Sequence, residues 1–239
     1  MTDRAHVLDA LGTVFDPELD EPITSLRFVT SCDVSAEGDV DVRLRLPTPQ
    51  CAPNFAYLMA ADARDAVRRL PEVREVSVVL EDHYTGDEIN AALGRGEGFA
   101  QAFPGETEGE LDALRELFHR KALVARQAQL CEAWLAAGGT AAEITGLRVA
   151  ELPDDPGARR CLELRAHLGI PSGPGEPALV RPDGAPIEAA ELEQWLRMAS
   201  LVRTSLEANG GICRSLLAVR YDIGDPDPEE VTALSLIHI

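Results

Sequence analysis

The sequence predicts an α+β fold: a small N-terminal sheet of about three strands with packed helices, then a mostly helical second domain. Three observations predict it. Apolar residues alternate along two neighbouring runs, Phe28 to Val34 and Val40 to Leu46, and again from Val76 to Leu80. Helical spacing of apolar residues precedes, separates and follows these runs. Beyond a glycine-rich stretch at 93–110 the alternation stops, and long amphipathic repeats take over.

The elements follow in order. Val7, Leu8, Leu11, Val14 and Phe15 share one face of a helix over 3–15. The segment "DPELDEP" ends it, because Pro17 disfavours helix at the residue before it. Phe28, Thr30, Cys32 and Val34 form the first strand. "AEG" turns the chain, and Val40, Val42, Leu44 and Leu46 form the second, with Asp39, Asp41, Arg43 and Arg45 on its other face. Pro53 can open the next helix at its first position, where a missing N–H costs nothing. "LPEV" stops that helix, and Val76, Val78 and Leu80 make the third strand. Thr85 with Glu88 fits a capping box for a short helix. The order is α-β-β-α-β-α.

The predicted division is a domain at 1–92, a linker at 93–110 and a helical domain at 111–239. Leu111, Leu114, Leu117, Phe118 and Leu123 begin a long helix that ends at Gly138-Gly139. Short pieces fill 141–186. "IEAAELEQWLRMASLVRTSLEANGG" reads as a second long helix with a glycine stop. Limited proteolysis is then expected to cut within 93–110. The tail "LSLIHI" fits no preceding pattern and resembles translated sequencing-adapter sequence.

Composition narrows the function. The formal net charge is -19, from 41 acidic and 22 basic side chains. Such a surface repels nucleic acid and anionic membrane, so neither is an expected partner. No run approaches a membrane span or the apolar core of a signal peptide, and a cytoplasmic protein is expected. Its five cysteines, an odd number, are then reduced thiols and not a disulfide framework. The chain shows no nucleophile–base motif, nucleotide fingerprint or Cys-x-x-Cys, so an enzyme or a zinc ribbon is not expected.

One thiol stands apart. Cys51 lies in "LPTPQCAPNF", between a strand end and a helix start. Backbone N–H groups and the dipole at a helix N-terminus favour negative charge, and a thiol placed there tends toward thiolate, the form that binds metal. Cys32 belongs to an apolar strand face, and Cys131 and Cys161 read as packed or partnerless. Cys213 follows Gly210-Gly211 in "NGGICRSLL" and is a candidate second ligand. His83, at the end of the third strand, is a candidate ligand or proton donor.

Three motifs around Cys51 carry a resemblance. They are Asp16-Pro17-Glu18 after the first helix, Thr48-Pro49-Gln50-Cys51 after the second strand, and Tyr84-Thr85-Gly86-Asp87 after the third. In this order and spacing, over residues 5–90, the chain resembles the MIP18-like family of iron–sulfur cluster assembly factors, also called domain of unknown function 59. It departs from the family where Ala52 separates Cys51 from Pro53, and where Tyr84 replaces a common tryptophan. The resemblance implies that Cys51 is the functional thiol and metal ligand, with Asp16, Glu18 and Thr48 beside it. It implies a transiently held iron–sulfur cluster. The partners it implies are a client metalloprotein or the assembly machinery. One cysteine cannot complete such a cluster, which usually takes four thiolates, so a second copy of the chain, a partner or a small thiol must contribute. The alternative is a non-catalytic maturation or docking partner for a metalloenzyme such as a multicomponent oxygenase.

Overall fold

A computed structural model describes residues 2–105 and 111–222. These residues form two compact units, one of Met1–Ala113 with Asn209–Ile223 and one of Leu114–Ala208. The part of the glycine-rich stretch at 106–110 and the tail "LSLIHI" lie outside the described residues.

The first unit opens with helix α1 (Arg4–Leu11). Asp3 caps it, accepting from the His6 amide at 3.0 Å. The helix ends sooner than its apolar spacing predicts. Val14 and Phe15 leave the helix because the Ile23 amide donates to the Val14 carbonyl at 2.9 Å and draws the chain into a hairpin. That hairpin, β1 (Phe15–Asp16) against β2 (Glu21–Pro22), is antiparallel, and the turn residues of "DPELDEP" form its loop.

The main sheet is β3 (Val29–Val34), β4 (Asp39–Arg45) and β5 (Glu75–Glu81), with β4 in the centre. β3 and β4 pair antiparallel through a tight turn. Gly38 sits in that turn at a φ of 89°, and a Cβ there would lie 2.5 Å from the Glu72 carbonyl oxygen, so no other residue fits without backbone movement. β4 and β5 pair parallel, from Asp39 opposite Glu75 to Arg45 opposite Glu81. A parallel pair needs a long crossover, and helix α2 (Pro53–Arg68) supplies it. Val40, Val42, Leu44, Val78 and Leu80 are buried on one face of the sheet. They pack with Phe28 and Cys32 against Val7 and Leu11 of α1 and Ala56, Met59, Ala63 and Val67 of α2. The opposite face carries Asp39, Asp41 and Arg43, as alternation predicts. There Arg74 pairs with Asp39, and Arg43 pairs with Glu81 at 3.0 Å.

Helix α3 (Gly86–Arg95) follows β5. Thr85 is its N-cap, but its side chain makes no cap bond, so the predicted capping box with Glu88 does not form. The stretch read as linker from residue 93 is built into the first unit as far as Phe103. A short helix, α4 (Phe99–Ala102), places Phe99 in edge-to-face contact with Tyr57, ring centres 5.6 Å apart. Phe103 stacks on Phe99 at 4.8 Å, and both rings are buried. Protease cleavage at 93–103 is therefore not expected.

The second unit is helical. It comprises α5 (Asp112–Ala136), α6 (Ala141–Gly146), α7 (Pro156–His167) and the start of α8 (Leu192–Tyr221). Two small cores hold it, one around Leu123, Cys161, Leu164 and Val180, the other around Cys131, Ile144, Leu179, Ile187 and Leu192. Gln127 is buried in α5, where its amide both donates to and accepts from the backbone of Val180, at 2.9 and 2.8 Å.

The predicted glycine stop in the last helix is not used. α8 runs through Gly210 and Gly211 to Tyr221. Its final turns are held within the first unit. Arg214 donates to Glu21 at 2.6 Å, Leu217 is buried in the core, and the Tyr221 hydroxyl donates to Asp82 at 2.6 Å. Arg45 lies 3.8 Å over the Tyr221 ring. These contacts outweigh the roughly 1 kcal/mol that each glycine takes from a helix. Among the described residues no helix is long and apolar enough to cross a membrane.

Candidate functional site

Cys51 stands after β4 and one residue before Ala52, the N-cap of α2. Pro53 is at the first helical position, as predicted. The loop from Pro47 to Ala52 is tied at several points. The Cys51 amide donates to the Thr48 carbonyl at 3.4 Å, and the Thr48 hydroxyl lies 3.7 Å from the Cys51 sulfur. The Tyr84 amide donates to the Pro49 carbonyl at 3.0 Å. The loop and the segment after β5 are thus joined through backbone, while the Tyr84 ring is exposed.

His83 completes the clamp. Its Nε2 lies 2.8 Å from the Cys51 carbonyl. A carbonyl only accepts, so Nε2 carries the proton. Nδ1 then accepts from the Thr85 hydroxyl at 3.1 Å and the Thr85 amide at 3.3 Å. His83 therefore orients the thiol loop and spends both ring nitrogens doing so. The hydroxyl that a capping box would use is the one that fixes this ring.

Asp16 occupies the β1 end and is only 8% exposed. Its Oδ1 accepts from the amides of Glu18, at 2.8 Å, and Leu19, at 3.0 Å. Its Oδ2 takes no hydrogen bond among the described residues. Burial pushes the Asp16 carboxyl up to about 6, against the lowering effect of those two amides. Glu18 is half-buried. The turn geometry is what Asp-Pro-Glu commonly provides.

Cys213 lies on α8, mid-helix and not after a break. It and Cys51 are both half-buried side chains packed on the same core. Burial pushes the Cys213 thiol up to about 11, and the charges of Asp16, Cys51 and Glu18 add to the effect. The four groups thus share one electrostatic neighbourhood. Cys32 is buried in that same core and Cys131 in the second unit. Burial raises both, Cys131 to about 12. No disulfide forms among the described residues, and no three His, Cys, Asp or Glu side chains there already surround a common point as a metal site. Local sequence signals mark Cys51 and Asp16. No local signal marks His83 as a clamp or Arg214 as a tether, because their partners are far away in the chain.

The fold is a small α+β domain with a half-buried thiol at a strand–helix junction. Residues 4–78 match the iron–sulfur cluster assembly protein family. An uncharacterized protein of Methanocaldococcus jannaschii, MJ1129, is 34% identical over 93 residues, which are 39% of this chain and 96% of that relative. The chain belongs to the iron–sulfur cluster assembly protein family, as its resemblance to MIP18-like proteins implies.

Proposed function

We propose that this protein holds an iron–sulfur cluster, or the iron for one, on the Cys51 thiolate and passes it to a client metalloprotein. Membership of the family gives it a general role in iron–sulfur assembly. The observation that supports Cys51 as the working group is its loop. Three separate bonds, from the Tyr84 amide, the His83 ring and its own amide, hold a half-buried thiol at the edge of the domain. A merely structural cysteine of this size has no need of such positioning. Loading is a ligand exchange: the thiol proton leaves to solvent as the sulfur–iron bond forms, with no net oxidation. Transfer exchanges that bond for one to the client's ligand. Asp16, Glu18 and Thr48 line the same neighbourhood, and the acid groups suit it to cationic cargo.

Anaerobic reconstitution with iron and sulfide tests this reading. The wild-type protein is expected to gain visible absorption from thiolate-to-iron charge transfer, in a labile species, because each chain supplies too few thiolates for a whole cluster. Cys51→Ser is expected to lose it, since an alcohol stays protonated. Cys32→Ser should do the opposite: it costs about 1–3 kcal/mol by burying a hydroxyl on an apolar face, yet loads normally once folded. Equal loading of wild type and Cys51→Ser would overturn the carrier role.

A docking role is favoured by a different observation. Met198 and Leu201, one helical turn apart on α8 in the second unit, are 65% and 69% exposed. Exposed large apolar side chains at this spacing suit a client surface. Under that reading Cys51→Ser leaves client maturation intact, whereas Leu201→Glu abolishes it.

A further inference from the structure

We propose that the last turn of α8, outside the segment matched to the family, is a latch on the thiol loop: Tyr221, with Arg220, grips the exits of the two strands that carry Cys51 and its clamp, and so sets how far the thiol is exposed. As a control on cargo the latch rests on the carrier reading of Cys51; as a control on the thiol it does not.

β4 ends at Arg45, and Leu46 leads into the thiol loop. β5 ends at Glu81, and Asp82 leads into His83. Tyr221 meets both exits. The Arg45 guanidinium lies 3.8 Å over its ring. Its hydroxyl donates to the Asp82 carboxylate at 2.6 Å and lies 3.4 Å from the Leu46 carbonyl. Arg220 donates to the same Asp82 oxygen, at 3.1 and 3.3 Å. Donation to a charged carboxylate makes these stronger than neutral hydrogen bonds.

Asp82 stands at a φ of 49°, in the left-handed region. Aspartate is among the few side chains that enter this region, but entry still costs energy, and surrounding contacts must hold it there. Two of those contacts come from α8. The path from latch to thiol is then short. Tyr221 fixes the Asp82 carboxylate, and Asp82 directs the chain into His83. His83 Nε2–H donates to the Cys51 carbonyl at 2.8 Å, and the next amide, that of Tyr84, donates to Pro49 in the same loop.

The latch can open while the helix stays docked. Upstream of it, Arg214 is bonded to Glu21 and Leu217 is buried in the core. The latch groups are far more exposed, Arg220 by 41% and Asp82 by 46%. Exposed ion pairs exchange readily with water, and a buried leucine does not. Once the grip is lost, Asp82 is free to leave the left-handed region. The His83 clamp loosens, and the half-buried Cys51 gains exposure.

The test reads the thiol without metal. The reduced full chain is alkylated with excess iodoacetamide, and Cys51 is followed in its tryptic peptide, residues 46–64. Tyr221→Phe keeps the ring under Arg45 and removes the hydroxyl. It should raise the Cys51 rate at least about fivefold, the scale of one exposed charge-assisted hydrogen bond. Asp82→Ala should do the same. Asp82→Asn keeps an acceptor for Tyr221 and suits the same backbone, so it should stay within about twofold of wild type. His83→Ala opens the clamp directly and should itself speed alkylation. In that background Tyr221→Phe should add less than about twofold, since the two changes act on one path. Buried Cys32 gauges the whole fold, and its rate should not move in any variant. An unchanged Cys51 rate in Tyr221→Phe and Asp82→Ala overturns the latch. A rise shared by Cys32 also overturns it, as does full additivity with His83→Ala. Loading with iron and sulfide scores the carrier reading apart. If Cys51→Ser loses the cluster while the Tyr221→Phe and Asp82→Ala rates match wild type, the latch falls alone. If those rates rise and Cys51→Ser loads normally, the latch stands and the carrier role falls.

Discussion

Arg165→Ala is expected to destabilise the second unit by about 3–5 kcal/mol. Arg165 is 1% exposed near the end of α7. Its guanidinium donates to the carbonyls of Pro177, at 2.9 Å, Ala178, at 3.4 Å, and Pro171. Those carbonyls belong to the irregular segment after α7, which has no strand ladder to satisfy it. Removing the side chain strands them in the interior, at roughly 1–3 kcal/mol for each group left buried without a donor. It also opens a cavity beside Leu164. Arg165→Met separates the two effects, since it fills the volume and donates nothing. It should recover no more than about half of the loss. Both tryptophans of the chain, Trp134 and Trp195, pack in the second unit, so their fluorescence during urea unfolding reads its stability directly. An Arg165→Ala midpoint matching wild type to within about 1 kcal/mol would rule out this account.

Asp16→Asn is expected to stabilise the metal-free first unit at neutral pH. The folded carboxyl is raised to about 6 from 3.8, first by burial. A raised acid binds its proton more tightly in the folded state than in the unfolded one. Its contribution is therefore fully present below pH 3.8, falls as pH rises, and is lost above about 6. The span is worth roughly 3 kcal/mol. Asparagine keeps the oxygen that accepts from Glu18 and Leu19, and carries no charge. The variant should gain about 1–3 kcal/mol at pH 8, gain nothing at pH 3.5, and lose the slope between. Hydrogen exchange of the β4 amides follows the unit that contains no tryptophan. A variant less stable than wild type at pH 8 would show that the charged form is favoured in the fold. A wild-type residue that lowers stability where a neutral isostere would raise it is a mark of a position kept for function.

Much of the first unit was legible from local pattern. Alternation at Val40, Val42 and Leu44 placed the inner face of the central strand, because a strand sends successive side chains to opposite sides. Pro53 marked the start of α2, because a missing N–H is harmless only at a helix start. Cys51 was visible at the junction of those two signals. Other features competed with a stronger tertiary term. Val14 and Phe15 fit the α1 face, yet the Ile23 amide takes the Val14 carbonyl and makes a hairpin. Gly210 and Gly211 read as a stop, yet the Glu21–Arg214 pair and buried Leu217 carry α8 through them. Phe99 and Phe103 sat in a glycine-rich stretch, and two rings against Tyr57 outweighed its composition.

By itself the sequence determined the order of the three main strands and the helices between and after them, the buried face of those strands and the position of the thiol loop. Each of these depends on residues within one or two turns of each other, where steric and hydrogen-bonding preferences act directly. Only the tertiary structure decided what surrounds that loop. His83 reaches the Cys51 carbonyl because β5 lies parallel to β4 and ends beside it. Cys213 enters the neighbourhood of Asp16 and Cys51 because a helix from the far end of the chain is anchored at Glu21 and Asp82. Such meetings are set by packing of whole elements, and no periodicity or spacing along the chain records them.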